Sequence, residues 1–222
     1  MSATAPSRAA ELRTWGLVAA VYVALTALYA YPLLGAMSTT LPHDVGDPGL
    51  NTWIIWWNSQ AWPLTERWWN APMFYPATGA LALSETFLSL SPLTTPLLRF
   101  GVSPVVTYNI AFLLSFPLTA LAAHALARRL TGRHDAAFIA GLALAFSPWR
   151  AAQMPHLQML VLWWMPLALF GLHRYLDRRR LSDLVIAGIG WLMNGLTSGY
   201  FLVFFAVLVG CWALWFLRTR RD

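Results

Sequence analysis

The chain has 222 residues, is 58% hydrophobic and only 11% charged, and sets 15 basic against 9 acidic residues for a net charge of +6. Soluble domains are about 45–50% apolar and about 25% charged, so neither an ordinary soluble globule nor a disordered chain fits. The single cysteine, Cys211, lies inside an apolar run, which excludes a disulfide framework and a cysteine-based metal site.

The apolar residues come in long runs that match a bilayer core, and a β-barrel, with its short alternating strands, is excluded. The expected class is an all-α, polytopic helical membrane protein. The first run, Trp15 to Met37, follows Arg8 and Arg13. Its length and its exit, poor in small cleavage-site residues, favour a retained first span over 14–37 rather than a removed signal peptide. A mixed stretch over 38–103 follows, an outer loop rich in Pro, Gly, Asn, acids and Trp. The remaining spans fill 104–222: Val105 to Ala127, Ala136 to Phe146, Leu157 to Leu172, Leu184 to Leu196 and Phe201 to Leu217. About six spans in a single membrane domain result. The apolar stretch Phe87 to Leu98 is short and holds Pro92 and Pro96, so it reads as a re-entrant or interfacial helix, or as the entrance to the next span.

All the basic residues are arginine. With both termini cytoplasmic, the inner segments hold Arg8, Arg13, Arg128, Arg129, Arg133, Arg174, Arg178, Arg179, Arg180, Arg218, Arg220 and Arg221. Only Arg67, Arg99 and Arg150 fall outside. Positive charge inside is the rule for short loops. Arginines at span ends are orientation signals, so nucleic acid is not an expected partner. The same orientation places the three segments richest in functional side chains on the outer face: 43–101, Ser147 to His156, and Thr197 to Tyr200.

The outer loop opens with His43-Asp44-Val45-Gly46-Asp47-Pro48-Gly49. Pro48 biases Asp47 toward extended backbone, and the glycines permit a tight turn. Such a turn would aim Asp47 as a general base or a metal ligand; Asp-Pro-Gly is also ordinary turn and helix-cap chemistry. Trp53, Trp56 and Trp57 share a helical face and would anchor an amphipathic helix over 50–62 at the headgroup level. Glu85 is either a helix N-terminal acid or a second carboxylate of the site. Arg150 is either a snorkelling headgroup arginine or a bidentate phosphate clamp, and His156 either a boundary histidine or a site residue. Asn109 and Asn194 are expected in interhelical hydrogen bonds, Gly188 and Gly195 at close helix approaches, and His124 in packing near a helix end. No serine-protease elbow, zinc-protease motif, phosphate-binding loop, mid-span acid pair or inverted repeat is present.

Several short motifs then fall in order: Gly46-Asp47 with Leu50-Asn51 and Trp53, Asn70 with Phe74-Tyr75-Pro76, Ser84-Glu85, Phe146-Ser147-Pro148-Trp149-Arg150, and His156-Leu157-Gln158. Their order over about residues 10–215 resembles a bacterial group of GT-C superfamily membrane glycosyltransferases, with a more distant similarity to oligosaccharyltransferase catalytic subunits. The resemblance implies transfer of a sugar from a polyprenyl-phosphate donor to an acceptor on the outer face of a bacterial cytoplasmic membrane. It implies Asp47, or second Asp44, as general base. A lipid-linked donor keeps its sugar-phosphate at the headgroup plane, where Asp47, Arg150 and His156 are expected to converge, with Arg150 and His156 at the donor phosphate. Some relatives use a divalent metal such as Mg or Mn, for which Glu85 would join Asp47. Superfamily members usually have seven or more spans, so the chain corresponds to their N-terminal part. The competing readings are a non-catalytic membrane protein that binds a polyprenyl lipid or a partner subunit, and a lipid flippase or transporter.

Overall fold

The computed structural model describes residues 7–219, and every regular element in it is helical. Arg220 and Arg221, expected on the inner face, lie outside the described residues. Helix α1 (Arg8–Tyr29) begins where the Ser7 hydroxyl accepts the Ala10 N–H at 3.2 Å. It stops short of the expected Met37. Pro32 can neither donate the next helical bond nor fit its ring beside the preceding turn, and the chain re-forms only as the one-turn α2 (Tyr31–Leu34).

The loop holds α3 (Asp47–Gln60), α4 (Glu66–Trp69) and α5 (Ser91–Arg99). Gly101, at φ +85°, turns the chain away from α5, so this stretch is a separate helix and not the first turns of the next one. Helix α6 (Pro104–Thr131) is capped by Ser103, with Pro104 in the first position where its missing N–H costs nothing, and ends at a left-handed Gly132. It forms a hairpin with α7 (His134–Ala145). Two short helices, α8 (Pro148–Ala152) and α9 (Leu157–Leu160), lead into α10 (Trp164–Arg178), which forms a second hairpin with α11 (Leu181–Gly195). Helix α12 (Gly199–Thr219) closes the order.

Among the described residues, four helical stretches are long and apolar enough to cross a membrane: Arg8–Tyr29, Pro104–Thr131, Leu157–Arg178 and Gly199–Phe216. The chain is therefore a helical membrane protein by length and composition. Helices α7 and α11, with 12 and 15 residues, reach about 18 and 22 Å at 1.5 Å per residue and fall short of the roughly 30 Å core.

The close approach of α10 and α11 rests on glycines other than those expected. A Cβ on Gly171 would lie 2.6 Å from the Ala187 nitrogen, and one on Gly190 would lie 2.8 Å from the Ala168 nitrogen. Gly188 faces open space, and a Cβ on Gly195 would meet only the side chain of Leu202 at 3.0 Å. Small residues at these contacts let backbones meet where lipid provides no hydrophobic drive. Across the same pair, Arg174 Nε lies 2.8 Å from the fully buried Asp183 carboxylate.

The largest core sits at the loop end, where α3, α5 and α6 bury Ile54, Ile55, Trp57, Trp68, Phe87 and Phe112 together. Helix α3 is consequently not a surface-lying helix. Eight of its 14 residues are buried, because the long loop folds into a small domain over the end of α6. Asn109 stitches the two together: its side-chain amide donates to the Met37 and Thr40 carbonyls at 2.9 and 2.8 Å. The expected interhelical bond is thus made to backbone instead.

Candidate functional site

The three segments expected on one face do meet at one end of the bundle. The loop 84–89 is bonded to the link between α11 and α12: Thr86 Oγ1 donates to the Leu196 carbonyl at 2.8 Å, and the Ser89 and Thr197 hydroxyls lie 2.6 Å apart. His156, just before α9, reaches Asp47 at the start of α3, with Nε2 3.2 Å from Oδ2. Asn51, one turn further along α3, donates to Gln158 Oε1 at 3.2 Å, and both amides are buried.

These contacts frame a cavity of about 540 Å³. Asp47, Asn51, Glu85 and Gln158 supply its polar side; Leu50, Leu83 and the first turns of α12, including Tyr200, Val203 and Phe204, supply an apolar side. Asp47 is the first residue of α3, with Pro48 second, so the helical start overrides the extended bias that Pro48 imposes. A carboxylate at a helix N-terminus is favoured there by the backbone dipole. Asp47 keeps half its side-chain surface exposed while His156 holds one oxygen.

Asp44 makes a separate cluster. Its carboxylate accepts the Gly46 N–H at 2.8 Å and lies 2.8 Å from His43 Nδ1. The Gly46 N–H, then His43, hold Asp44 below the usual carboxylate range. It does not line the cavity that Asp47 enters.

Glu85 is a helix N-terminal acid, and the helix is α12, more than 100 residues away. It accepts the Ser198 hydroxyl at 3.1 Å and the Gly199 N–H at 3.2 Å. Burial pushes its pKa up, against the pull of these two bonds. Sequence reading missed this partner. The signal was Ser198 directly before an apolar run, the ordinary mark of a helix start.

Arg150 is not at this site. It is fully buried, and its guanidinium donates to the Leu160 carbonyl at 2.7 Å and the Ser115 hydroxyl at 3.0 Å, over the Phe116 ring at 4.6 Å. The expected convergence of Asp47, His156 and Arg150 therefore holds for the first two only. The short α8 turns Arg150 inward, where the polar side of α6 supplies acceptors that the loop end does not.

The tryptophans divide in the same way. Trp57 is 7% exposed, and its indole N–H donates to the Trp68 carbonyl at 3.0 Å. Trp53, stacked on Trp57 at 5.7 Å, and Trp56 keep a partly exposed face. Only these two of the three are placed to meet a headgroup layer.

Among the described residues, no group of three or more His, Cys, Asp or Glu could hold a metal ion. Both Glu85 oxygens already accept hydrogen bonds and Asp47 is paired with His156. The donor set does not fit the Mg or Mn that the resemblance implies. No family model, curated protein or solved structure matches this chain.

Proposed function

We propose that the chain is a GT-C-type membrane glycosyltransferase, or its N-terminal module, acting on a polyprenyl-phosphate-linked sugar at the outer face of a bacterial cytoplasmic membrane. In this reading six helices cross, with α7 and α11 as the short crossings and the arginine-rich ends inside. The observation that carries it is the two-sided cavity. A sugar would sit against Asp47, Asn51 and Gln158, while the polyprenyl chain leaves past Val203 and Phe204. The outer surface of α12 is apolar and exposed at Leu202, Phe204 and Val207, as a path from the bilayer requires.

In the transfer step Asp47 takes the proton of the acceptor hydroxyl. The acceptor oxygen bonds to the sugar C1 as the bond from C1 to the phosphate oxygen breaks, and polyprenyl phosphate leaves. His156 orients Asp47 through their contact. Arg150 supports the α6–α9 packing. No step runs through a metal.

One observation favours a second reading. Among the described residues no arginine lines the cavity, and a site that must stabilise a leaving phosphate is expected to present one. A non-catalytic protein that binds a polyprenyl lipid, or that lends this cavity to a partner subunit, needs no such group.

Mass spectrometry of lipids co-purified with wild type, Asp47→Asn and Arg150→Ala tests both readings, followed by a turnover assay with the lipid found. Polyprenyl phosphate or its sugar adduct retained by Asp47→Asn, with turnover lost, is the result expected of the enzyme. Retention without turnover in wild type supports the binding protein. Bulk phospholipid alone in wild type overturns both.

A further inference from the structure

The arginine-rich end holds a second cluster of titratable groups that the cavity does not use. Four side chains from three helices form a continuous hydrogen-bonded line. Glu11 Oε1 of α1 lies 3.1 Å from His134 Nε2 of α7. His134 Nδ1 lies 3.0 Å from His124 Nε2 of α6. His124 Nδ1 lies 3.2 Å from the Tyr22 hydroxyl of α1, which donates to the Phe138 carbonyl of α7 at 3.1 Å. Glu11 and His134 are partly exposed, with 33% and 23% of their side-chain surface free. His124 and Tyr22 are fully buried. The line thus runs inward from water.

Hydrogen counting ties its polarity to the Tyr22–Phe138 bond, and the order that keeps this bond comes first. Tyr22 has one hydroxyl hydrogen, and it goes to Phe138. The Tyr22 oxygen must then accept from His124, so His124 carries its hydrogen on Nδ1 and its Nε2 accepts. His134 must donate to that Nε2 from Nδ1, and it must also donate from Nε2 to the Glu11 carboxylate. An imidazole that donates from both nitrogens is an imidazolium. The opposite order is equally complete with one proton fewer. There Tyr22 donates to His124, His124 donates to His134, and His134 donates to Glu11. Both imidazoles are then neutral, and the Tyr22–Phe138 bond is gone.

We propose that Glu11, His134, His124 and Tyr22 form a proton-binding site at the arginine-rich end, whose occupancy by one proton closes the Tyr22–Phe138 bond between α1 and α7. The fold provides for it. A Cβ on Gly141 would overlap the Tyr22 hydroxyl, so only glycine admits that hydroxyl between α6 and α7. Trp15 packs edge-on to both imidazoles, with ring centroids at 4.8 and 5.8 Å, and covers the line on that side. The charged and titratable groups facing the imidazoles are Glu11 and Tyr22 from α1 and Arg128 from α6; Arg128 lies 3.7 Å from Glu11. The Arg133–Asp135 pair closes on itself beside His134.

Nitrogen-15 NMR of ring-labelled histidines in the full chain, in lipid nanodiscs, reads the site directly across the imidazole titration range. His134→Gln and His124→Gln assign the signals. The expected result is one transition in which His134 passes from doubly to singly protonated while His124 passes from the Nδ1–H to the Nε2–H tautomer. Tyr22→Phe, which keeps the ring, should uncouple the two changes. A His124 tautomer that stays fixed while His134 titrates overturns the proposal, and so does a His134 that is singly protonated throughout. His43→Gln, His156→Gln and His173→Gln, outside the line, assign the pair by elimination if a variant within it fails to fold.

Discussion

The two ends of the bundle are built from the same residue types and use them differently. At the arginine-rich end the charges close on one another: Arg129 on Asp177, Arg133 on Asp135, Arg174 on the buried Asp183. At the loop end, Asp47 gives one oxygen to His156 and turns the other toward a cavity, which Glu85 also lines although each of its oxygens accepts one bond. The buried Arg150 of that end faces away from the cavity and into neutral acceptors. Paired charges cement helices; half-paired carboxylates beside an open volume are what a binding or reacting group needs. Residue identity alone therefore does not distinguish a structural charge from a functional one, whereas the direction in which each is satisfied does.

The sharpest way to break this contrast is at Arg150. Arg150→Ala removes a buried side chain and strands the Leu160 carbonyl, and should cost about 3 kcal/mol of stability. Arg150→Met, which keeps volume without charge, should cost less. Thermal unfolding in detergent measures both. Unchanged stability together with lost lipid binding would return Arg150 to the phosphate-clamp role. Next in size is Gly171→Ala, where the added methyl meets the α11 backbone and should cost about 2 kcal/mol by forcing α10 and α11 apart. The same substitution at Gly188, which faces open space, should be near neutral.

Asp47→Asn should change stability by less than about 1 kcal/mol, since a half-exposed polar contact contributes little, while abolishing any sugar transfer. A large unfolding shift would make Asp47 a structural residue. The smallest effect is the pH response of Glu85. Burial raises its pKa, so the folded state favours the protonated form. Its contribution is fully present below the ordinary carboxyl pKa and is lost as pH rises through the raised one. Glu85→Gln should remove that loss. Melting curves across the mildly acidic range should show wild type and variant separating as pH rises.

Much of this contrast was legible in the sequence. The apolar runs mark the long helices, and the arginine distribution sorts the segments into two sets that the fold gathers at opposite ends. Asp47 and His156 stand in short motifs at the edges of those runs, and they meet. Direction was not legible. Nothing in Ser147-Pro148-Trp149-Arg150 says that the guanidinium turns toward Ser115 and Thr119, because that depends on where α6 lies. Trp57 follows an amphipathic spacing, yet it is buried where α4 folds back over it, with Arg67 over its ring and its N–H on the Trp68 carbonyl, and a helical period reports a face without naming what covers it. The line from Glu11 to Tyr22 joins residues more than 100 positions apart, and single histidines in apolar runs carry no pairing signal. Gly171 and Gly190 were passed over for Gly188 and Gly195 because the face that meets α10 depends on helix rotation.

The bonds from Glu85, Thr86 and Ser89 to residues 196–199 have a consequence in time. At bacterial or eukaryotic elongation rates, the roughly 110 residues between the two sets take on the order of ten seconds to make. The loop core is completed within that interval, as α6 and α9 are made, but the cavity still lacks its second wall. A nascent chain halted before α12 would present the carboxylate to water with no pocket around it. If the cavity holds the proposed lipid, that competence arrives only when α12 docks, and lipid capture by chains of increasing length should appear as a step at that point.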